Sequence, residues 1–527
     1  MSVAIFPSAR LPKLGHKMKY MSGAALSLLL SGCMVGPNFH PPHPQVPGSY
    51  TQDSPPHASP YTSGGAVNPD WWTSFNDPEL AKLERQAVAQ NLDLKVATQR
   101  LLEAEAQAQM EGAVLYPNLG AAASYTREGP SKEGIFNAFG GGGGASTTAS
   151  SVANGSSSAS GGGGFSAAGI QPLDLYQYGL QTMFDLDLWG KNRRAVEAAV
   201  ANARASQEAR RAALLNVEAQ VASIYIRLRG TEAVLDITRQ NLDSANQLVQ
   251  LTVERQKAGL TTSLDVANAR AQAAKIESQI PTLVASRDAL IGQIGLLLGQ
   301  MPEGLPKALK DSAPVPLTPP TVPVGLPAKL LERRPDVREA VDHLHAATAE
   351  IGVAKAQFFP DVTLSASASL QALQFKNLNE WKALTYGFGP NVTLPIFEGG
   401  QLTGQLKLRK AQAKEAAIGY AKTVLTAFTQ VNTALTNYAQ EHATLTALTT
   451  EVAQSKTALN LAEDQYKQGL ADYLTVLTAQ QTYLAAQVNR AQSVETLGTD
   501  LVTLYQALGG GWEQVYPQQA QAPKKQS

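Results

Sequence analysis

GKNRRAVEAAVANARASQEARRAALLNVEAQVASIYIRLRGTEAVLDITRQNLDSANQLVQLTVERQKAG runs from Gly190 to Gly259. Gly400 to Gly469 has the same span of 69 positions, and neither stretch contains a proline. A run without a helix breaker that is bounded by glycine reads as one uninterrupted helix ending at a corner. At 1.5 Å per residue such a helix is roughly 100 Å long, too long for a globular core. Val221, Leu228, Leu235, Leu242 and Val249 recur every seven residues, and a shift of 210 lands on Val431, Tyr438, Leu445, Val452 and Leu459. The intervening positions are often small: Thr231, Thr238, Ala245 and Thr252, then Ala434, Ser455 and Ala462. A sustained seven-residue repeat with small residues on its seam implies close, left-handed supercoiling against neighbouring helices.

Beyond each tip glycine the chain must turn back, so return helices are expected over about 263–298 and 472–508, the first broken or kinked at Pro281. Ahead of each long helix lies an alternating segment. Tyr176, Tyr178, Leu180, Thr182, Phe184, Leu186 and Leu188 alternate with more polar residues, as do Leu384, Tyr386, Phe388, Val392, Leu394 and Ile396. Val362 to Leu370 and, more weakly, Leu119 to Tyr125 supply partner strands. These strands have the period of two, and about the 9 to 11 residues, that a tilted strand needs to cross a bilayer.

The chain is therefore one unit written twice. Tyr116-Pro117 is echoed by Phe359-Pro360, Tyr178-Gly179 by Tyr386-Gly387, and Lys257-Ala258-Gly259-Leu260 by Lys467-Gln468-Gly469-Leu470. The expected organisation is a signal peptide over 1–32, an extended segment over 33–75 and a first repeat over 76–300. A Pro-rich linker over 301–328, a second repeat over 329–511 and a tail over 512–527 follow. The first repeat carries an insertion, about 129–172, whose glycine and serine tracts read as a flexible loop. No Gly-Lys-Ser/Thr ending follows its glycines, so it is not a phosphate cradle.

At the amino terminus, Arg10, Lys13, Lys17 and Lys19 precede a short apolar run from Met21 to Leu30, the layout of an export signal. Met18 would serve as a start as well as Met1. Leu30-Ser31-Gly32-Cys33 resembles a bacterial lipobox, which makes the chain's one cysteine, Cys33, the expected lipid attachment site. Several acyl chains on one residue anchor stably. No aspartate follows the cysteine, so by that resemblance sorting is to the outer membrane. Elsewhere no apolar run approaches the roughly 18 residues of a membrane helix, so strands must do any crossing. With 43 Lys+Arg against 43 Asp+Glu the formal net charge is zero, and no basic field points to nucleic acid. Two strands per repeat give four per chain, below the roughly eight of the smallest membrane barrels, so an oligomer is required.

Several motifs carry a resemblance to a known family. They are Gly32-Cys33-Met34-Val35-Gly36-Pro37, Trp71-Trp72 with Phe75 and Asp77-Pro78, Asn91 with Asp93-Leu94, and Glu332-Arg333-Arg334-Pro335-Asp336-Val337-Arg338. Ile351-Gly352-Val353-Ala354 leading to Phe359-Pro360, and Leu394-Pro395-Ile396-Phe397 with Gly399-Gly400, complete the set. Over essentially the whole mature chain the sequence resembles the TolC/NodT-type outer membrane efflux proteins. The resemblance implies a mainly α protein with a membrane β-barrel. Specifically, it implies a homotrimer whose 12-stranded outer-membrane barrel, four strands per chain, continues into a long periplasmic α-helical barrel. It further implies a duct joined to a periplasmic adaptor and to an inner-membrane pump of the resistance-nodulation-division class. No reaction is catalysed and no cofactor is needed beyond the lipid on Cys33.

By the same resemblance, Tyr466 and Asp265 match the two halves of a hydrogen-bonded latch that constricts the periplasmic mouth. An arginine used nearby falls on Ala471, and two pore-ringing aspartates fall on Thr475 and Thr478, with Asp472 as a replacement charge. The tip turns Gly259, Leu260, Thr261, Thr262, Ser263 and Leu264, and Gly469 with Leu470, match the surface that adaptor hairpins bind. Simple corner chemistry also explains the glycines.

Other clusters read as structural. His343 and His345 face different sides of a helix, and Arg333-Arg334 beside Asp336 suit salt links at a helix start. Trp189 and Phe397, at equivalent strand ends, suit either an interfacial belt or packing. Within the conduit class, a duct for protein or polysaccharide secretion is the neighbouring alternative. A non-conducting coiled-coil lipoprotein that tethers membranes would need no amphipathic strands. An enzyme would need a nucleophile–base pair or a metal spacing, and neither stands out.

Overall fold

The alternating segments pair into one antiparallel sheet. β1 (Asn118–Glu128), β2 (Leu173–Asp185), β3 (Asp361–Ala372) and β4 (Leu384–Thr393) lie in the order β1-β2-β3-β4. Tyr178 sits between Ala123 and Leu370, and Ala368 between Leu180 and Tyr386. The two repeats thus join through β2 and β3. A Cβ on Gly179 would run into the backbone of Ala368 and Ser369, so only glycine lets these strands approach there. In a computed structural model of the chain, residues 34–42, 44, 61–129, 172–305, 309, 311–319 and 321–516 are described. Cys33, the export signal and all but the ends of the insertion lie outside them.

β2 ends at Asp185 and β4 at Thr393, earlier than alternation through Leu188 and Ile396 suggests. For β2 the reason is local. Asp187 adopts φ 42°, and its carboxylate accepts the backbone amides of Asn192 and Arg193, each at 2.9 Å, so the chain leaves the sheet to start a helix. Met34 packs on Gly190, and the Val35 amide donates to the Trp189 carbonyl at 3.0 Å, which ties the segment just after Cys33 to this corner. Trp189 stacks on Phe359 and donates to the Pro360 carbonyl at 2.8 Å, whereas Phe397 is exposed.

The helices are α1 (Pro78–Gln90), α2 (Leu92–Ala113), α3 (Lys191–Lys257), α4 (Ser263–Glu277), α5 (Ile280–Leu297), α6 (Pro327–Arg333), α7 (Pro335–Ala356), α8 (Gln401–Gln468) and α9 (Tyr473–Leu508). α3 and α8 are unbroken over 67 and 68 residues. The first return helix is split at Ser278–Gln279 with Pro281 in the opening turn of α5, where its missing N–H is harmless. The chain forms two compact units that cut across the repeats. One comprises Met1–Gly36, Met110–Arg194 and Gly352–Gly404 and holds the sheet; the other comprises Pro37–Gln109, Ala195–Ile351 and Gln405–Ser527.

In the second unit the heptad seam is the core. Val221, Leu228, Leu235, Val431, Tyr438 and Leu459 are buried, as are Thr238, Ala245, Thr252, Ala434, Ser455 and Ala462 between them. The buried threonines stay satisfied by bonding back to their own helix, Thr238 to Val234 and Thr252 to Leu248, both at 2.7 Å. Trp71, Phe75, Leu80 and Leu83 join this core, Trp71 stacking on Tyr505 of α9. Asp77 caps α1 through the amides of Glu79 and Leu80 and accepts the Tyr225 hydroxyl at 2.9 Å. Asn91 bridges the Leu297 carbonyl and the Leu94 amide. Arg334 forks onto Asp336 and also reaches Gln430 and the Ala507 carbonyl, each within 3.0 Å, while Arg333 takes Glu513 at 2.6 Å. His345 pairs with Glu197 at 2.9 Å and stacks on Phe39, and His343 faces Glu339.

Candidate functional site: the helix-hairpin tips

Two turns reverse the long helices, and both are built alike. Gly259 and Gly469 sit at φ +75° and +77°. The amide of Leu260 reaches back to the Arg255 carbonyl and that of Gly259 to Gln256; Leu470 and Gly469 do the same with Gln465 and Tyr466. These pairs are the Schellman closure, in which glycine takes the left-handed position and the last carbonyls gain partners.

The return helices then start with the same two positions occupied in exchanged order. In the first repeat Thr262 is the N-cap and Asp265 the third helical residue; 210 positions on, Asp472 is the N-cap and Thr475 the third. Thr262 and Asp265 form a reciprocal capping box, Asp265 Oδ2 also accepting the Thr261 and Thr262 hydroxyls at 2.5 and 2.9 Å. Asp472 accepts both the amide and the hydroxyl of Thr475, at 2.9 and 2.6 Å. The Thr261 hydroxyl above all, then the Thr262 amide and hydroxyl, hold the Asp265 carboxyl below its ordinary range. The Thr475 hydroxyl and then its amide do the same for Asp472.

Tyr466 is buried at 2% exposure among Leu248, Ala269, Leu459, Tyr473 and Val476. Its hydroxyl has no hydrogen-bond partner among the described residues. The bond from Tyr466 to Asp265 that the resemblance implies is not made within this chain. The physical reason is competition: Asp265 already serves the threonines of its own turn. Tyr473, edge-on to Tyr466, is pushed up to about 12, first by burial and then by the Tyr466 and Asp265 charges.

Arg255 was not singled out in the sequence. Its guanidinium lies over the Tyr466 ring, 4.5 Å from the centroid, and Nη1 donates to the Tyr466 carbonyl at 2.7 Å. A cation four residues before a tip glycine was the available signal, since it suits the helix-terminal carbonyls of α8. Leu260, Leu264, Leu470 and Leu474 stand exposed at matching positions of the two tips. Leu474 is the member the sequence reading left out. Thr475 and Thr478 line a groove of about 640 Å³ with Asp472, Leu474, Ser455 and Ala462. No helix among the described residues is long and apolar enough to cross a membrane.

Comparisons with known proteins agree over nearly the full length. Residues 83–300 and 326–510 match the family described as outer membrane efflux protein. Nodulation protein T of Rhizobium leguminosarum bv. trifolii is 30% identical over 495 residues, 93% of this chain and 97% of its own. The toluene efflux pump outer membrane protein TtgC of Pseudomonas putida is 30% identical over 513 residues, covering 96% and 98%. Among solved structures, the outer-membrane channel OprN superposes with a TM-score of 0.80 at 28% identity, over 91% of this chain and 100% of that one.

Proposed function

The chain belongs to the outer membrane efflux protein family and is an efflux channel of the outer membrane with a periplasmic extension, and on that premise we propose that it is the passive exit duct of a three-part export system. Three copies close a 12-stranded barrel, and an inner-membrane pump of the resistance-nodulation-division class, bridged by a periplasmic adaptor, delivers small amphipathic compounds. The observation that carries the reading is the sheet, whose four strands leave β1 and β4 as open edges. Four strands are too few to enclose a pore, and an open edge in lipid leaves backbone groups unpaired. Apolar side chains such as Leu119, Tyr386 and Phe388 stand exposed on these edge strands, as a bilayer-facing wall requires.

In this reading the chain is a conduit that catalyses nothing, and residues 1–32 are removed as its export signal. The lipid on Cys33 anchors the extended segment 33–75; the tie between Val35 and Trp189 supports an anchor beside the strand ends. Residues 76–300 and 329–511 act as the two repeats, joined by 301–328 and followed by the tail 512–527. Gly259, Leu260, Thr261, Ser263, Leu264, Gly469 and Leu470 present the adaptor-binding tips. Asp265, Tyr466, Asp472, Thr475 and Thr478 line the gate, and the unpartnered Tyr466 hydroxyl supports a constricted state in which it takes Asp265 as acceptor.

Single-channel recording in planar bilayers tests the reading. Small or flickering wild-type currents that grow in Tyr466→Phe and Asp265→Ala are the expected result. Absence of current from all three proteins after correct insertion would return a membrane-tethering lipoprotein to first place. A monomer by light scattering would remove the shared barrel.

A further inference from the structure

α1 packs its Leu80, Leu83 and Ala87 face into the core, and the fourth residue of that stripe is a glutamate. Glu84 is fully buried, and neither of its carboxyl oxygens has a hydrogen-bond partner among the described residues. The same is true of Glu218 on α3. A third orphan lies beside Glu218: the indole Nε1 of fully buried Trp71 also lacks a partner among the described residues. Glu84 lies near enough to Glu218 for that carboxylate's charge to act on it, and Glu218 and Trp71 converge at Gly511, which sits at φ +135°. A Cβ there would collide with Glu218 Oε2, and its next neighbour, 3.3 Å away, would be Trp71 Nε1.

No cation among the described residues offsets these carboxyls. The charged groups facing Glu218 are Glu513, from the turn after α9, and Asp70, from the segment before α1. Arg333 is engaged by Glu513, and Gln514 by Asp70. Arg211 and Arg338 are taken by Glu208, at 2.5 and 2.8 Å. Tyr505, stacked on Trp71, is titratable as well, and burial raises it too. Two ionised carboxylates cannot stay buried side by side without a counter-charge, whereas a protonated carboxyl can donate to its neighbour and leave an oxygen for the indole N–H.

We propose that Glu84 and Glu218 form a proton-holding carboxyl pair that docks the Trp71–Gln90 segment onto α3 and the turn after α9, and releases it as pH rises. This goes beyond the conduit reading and does not depend on it. Burial first, and then Glu218, pushes Glu84 well above the carboxylate range; burial, then Glu513 and Asp70, does so for Glu218. The sign follows from linkage. The docked state keeps protons that the undocked state releases at ordinary carboxylate pH. Docking is therefore fully supported in acid and weakens as pH climbs toward the raised values, about tenfold per pH unit for each proton released.

Hydrogen–deuterium exchange of residues 71–90 in the full-length protein, purified in detergent, tests this. Protection would be compared from about pH 6 to about pH 9 after correction for intrinsic rates. In the wild type, protection falls with that slope. In Glu84→Gln, in Glu218→Gln and in the double variant the slope shrinks or vanishes, and each single variant loses part of the protonated-carboxyl infrared absorption seen at neutral pH. A flat wild-type profile, or variants that keep the full slope, overturns the proposal. If the double variant does not fold, the wild-type profile and the single variants still decide it.

Discussion

Arg255 of α3 lies over the ring of Tyr466 on α8 and donates to that residue's own carbonyl at 2.7 Å and to the Lys467 carbonyl at 3.2 Å. One guanidinium thus ties the end of one repeat's long helix to the end of the other's, using its flat face and its edge together. Any widening of the mouth that separates α3 from α8 must break this contact.

Arg255→Ala is therefore expected to raise single-channel current and to shorten closed intervals. Arg255→Lys should behave nearly like Arg255→Ala, because an ammonium can reach the carbonyls but has no flat face to lay over the Tyr466 ring at the same time. Wild-type currents from both variants would show that the tie does not restrain the mouth.

Gly259 and Gly469 occupy the left-handed region with open space where a Cβ would stand, the nearest neighbour being an Arg255 nitrogen 4.0 Å from Gly469. Alanine at either site should cost about 1 kcal/mol from backbone conformation alone. Hydrogen exchange should quicken at the altered tip only, with unchanged assembly by light scattering. Changes spreading to the heptad core would contradict a purely local cost.

The caps and the buried pair respond to pH in opposite directions. Asp265 and Asp472 are held low by their threonine donors, so their support is complete above the ordinary aspartate range and lost as pH falls through the lowered values. Tip amides should lose protection in strong acid, while residues 71–90 lose it in alkali. Asp265→Ala and Asp472→Ala should remove the acid dependence at their own tips and leave the alkaline one untouched.

Arg334 is nearly buried and holds Asp336, Gln430 and the Ala507 carbonyl together. Arg334→Ala should destabilise the second unit by about 2 to 3 kcal/mol, read as a shift in the denaturant midpoint. Lysine should rescue little of this, since the fork onto Asp336 needs two donors in one plane.

Helix lengths, the tip glycines, the heptad seam and the strand periodicity were legible in the sequence because each is a local property repeated along the chain. Val221 to Val249 mark a buried face through their spacing alone. The strand ends were read too long, because alternation continues past the point where Asp187 turns to cap α3. Glu84 was visible only as one polar residue on an apolar stripe. Thr262-x-x-Asp265 and Asp472-x-x-Thr475 are both readable as caps, yet the resemblance drew Asp265 to Tyr466 instead.

Repetition, reach and reversal of this chain follow from its order of residues, since hydrogen-bonded helices and pleated strands depend on neighbours a few positions apart. The partner of each polar group does not. Asp265 bonds within its own turn because those donors are nearest and cost least to order. Arg255 finds Tyr466, 211 positions away, only because the hairpins bring both helix ends together. Glu218 meets Trp71 over Gly511, and Glu84 comes near Glu218, because α1, α3 and the turn after α9 are brought together by packing. Such meetings rest on packing in three dimensions, where burial removes water as the alternative partner and makes each remaining contact matter.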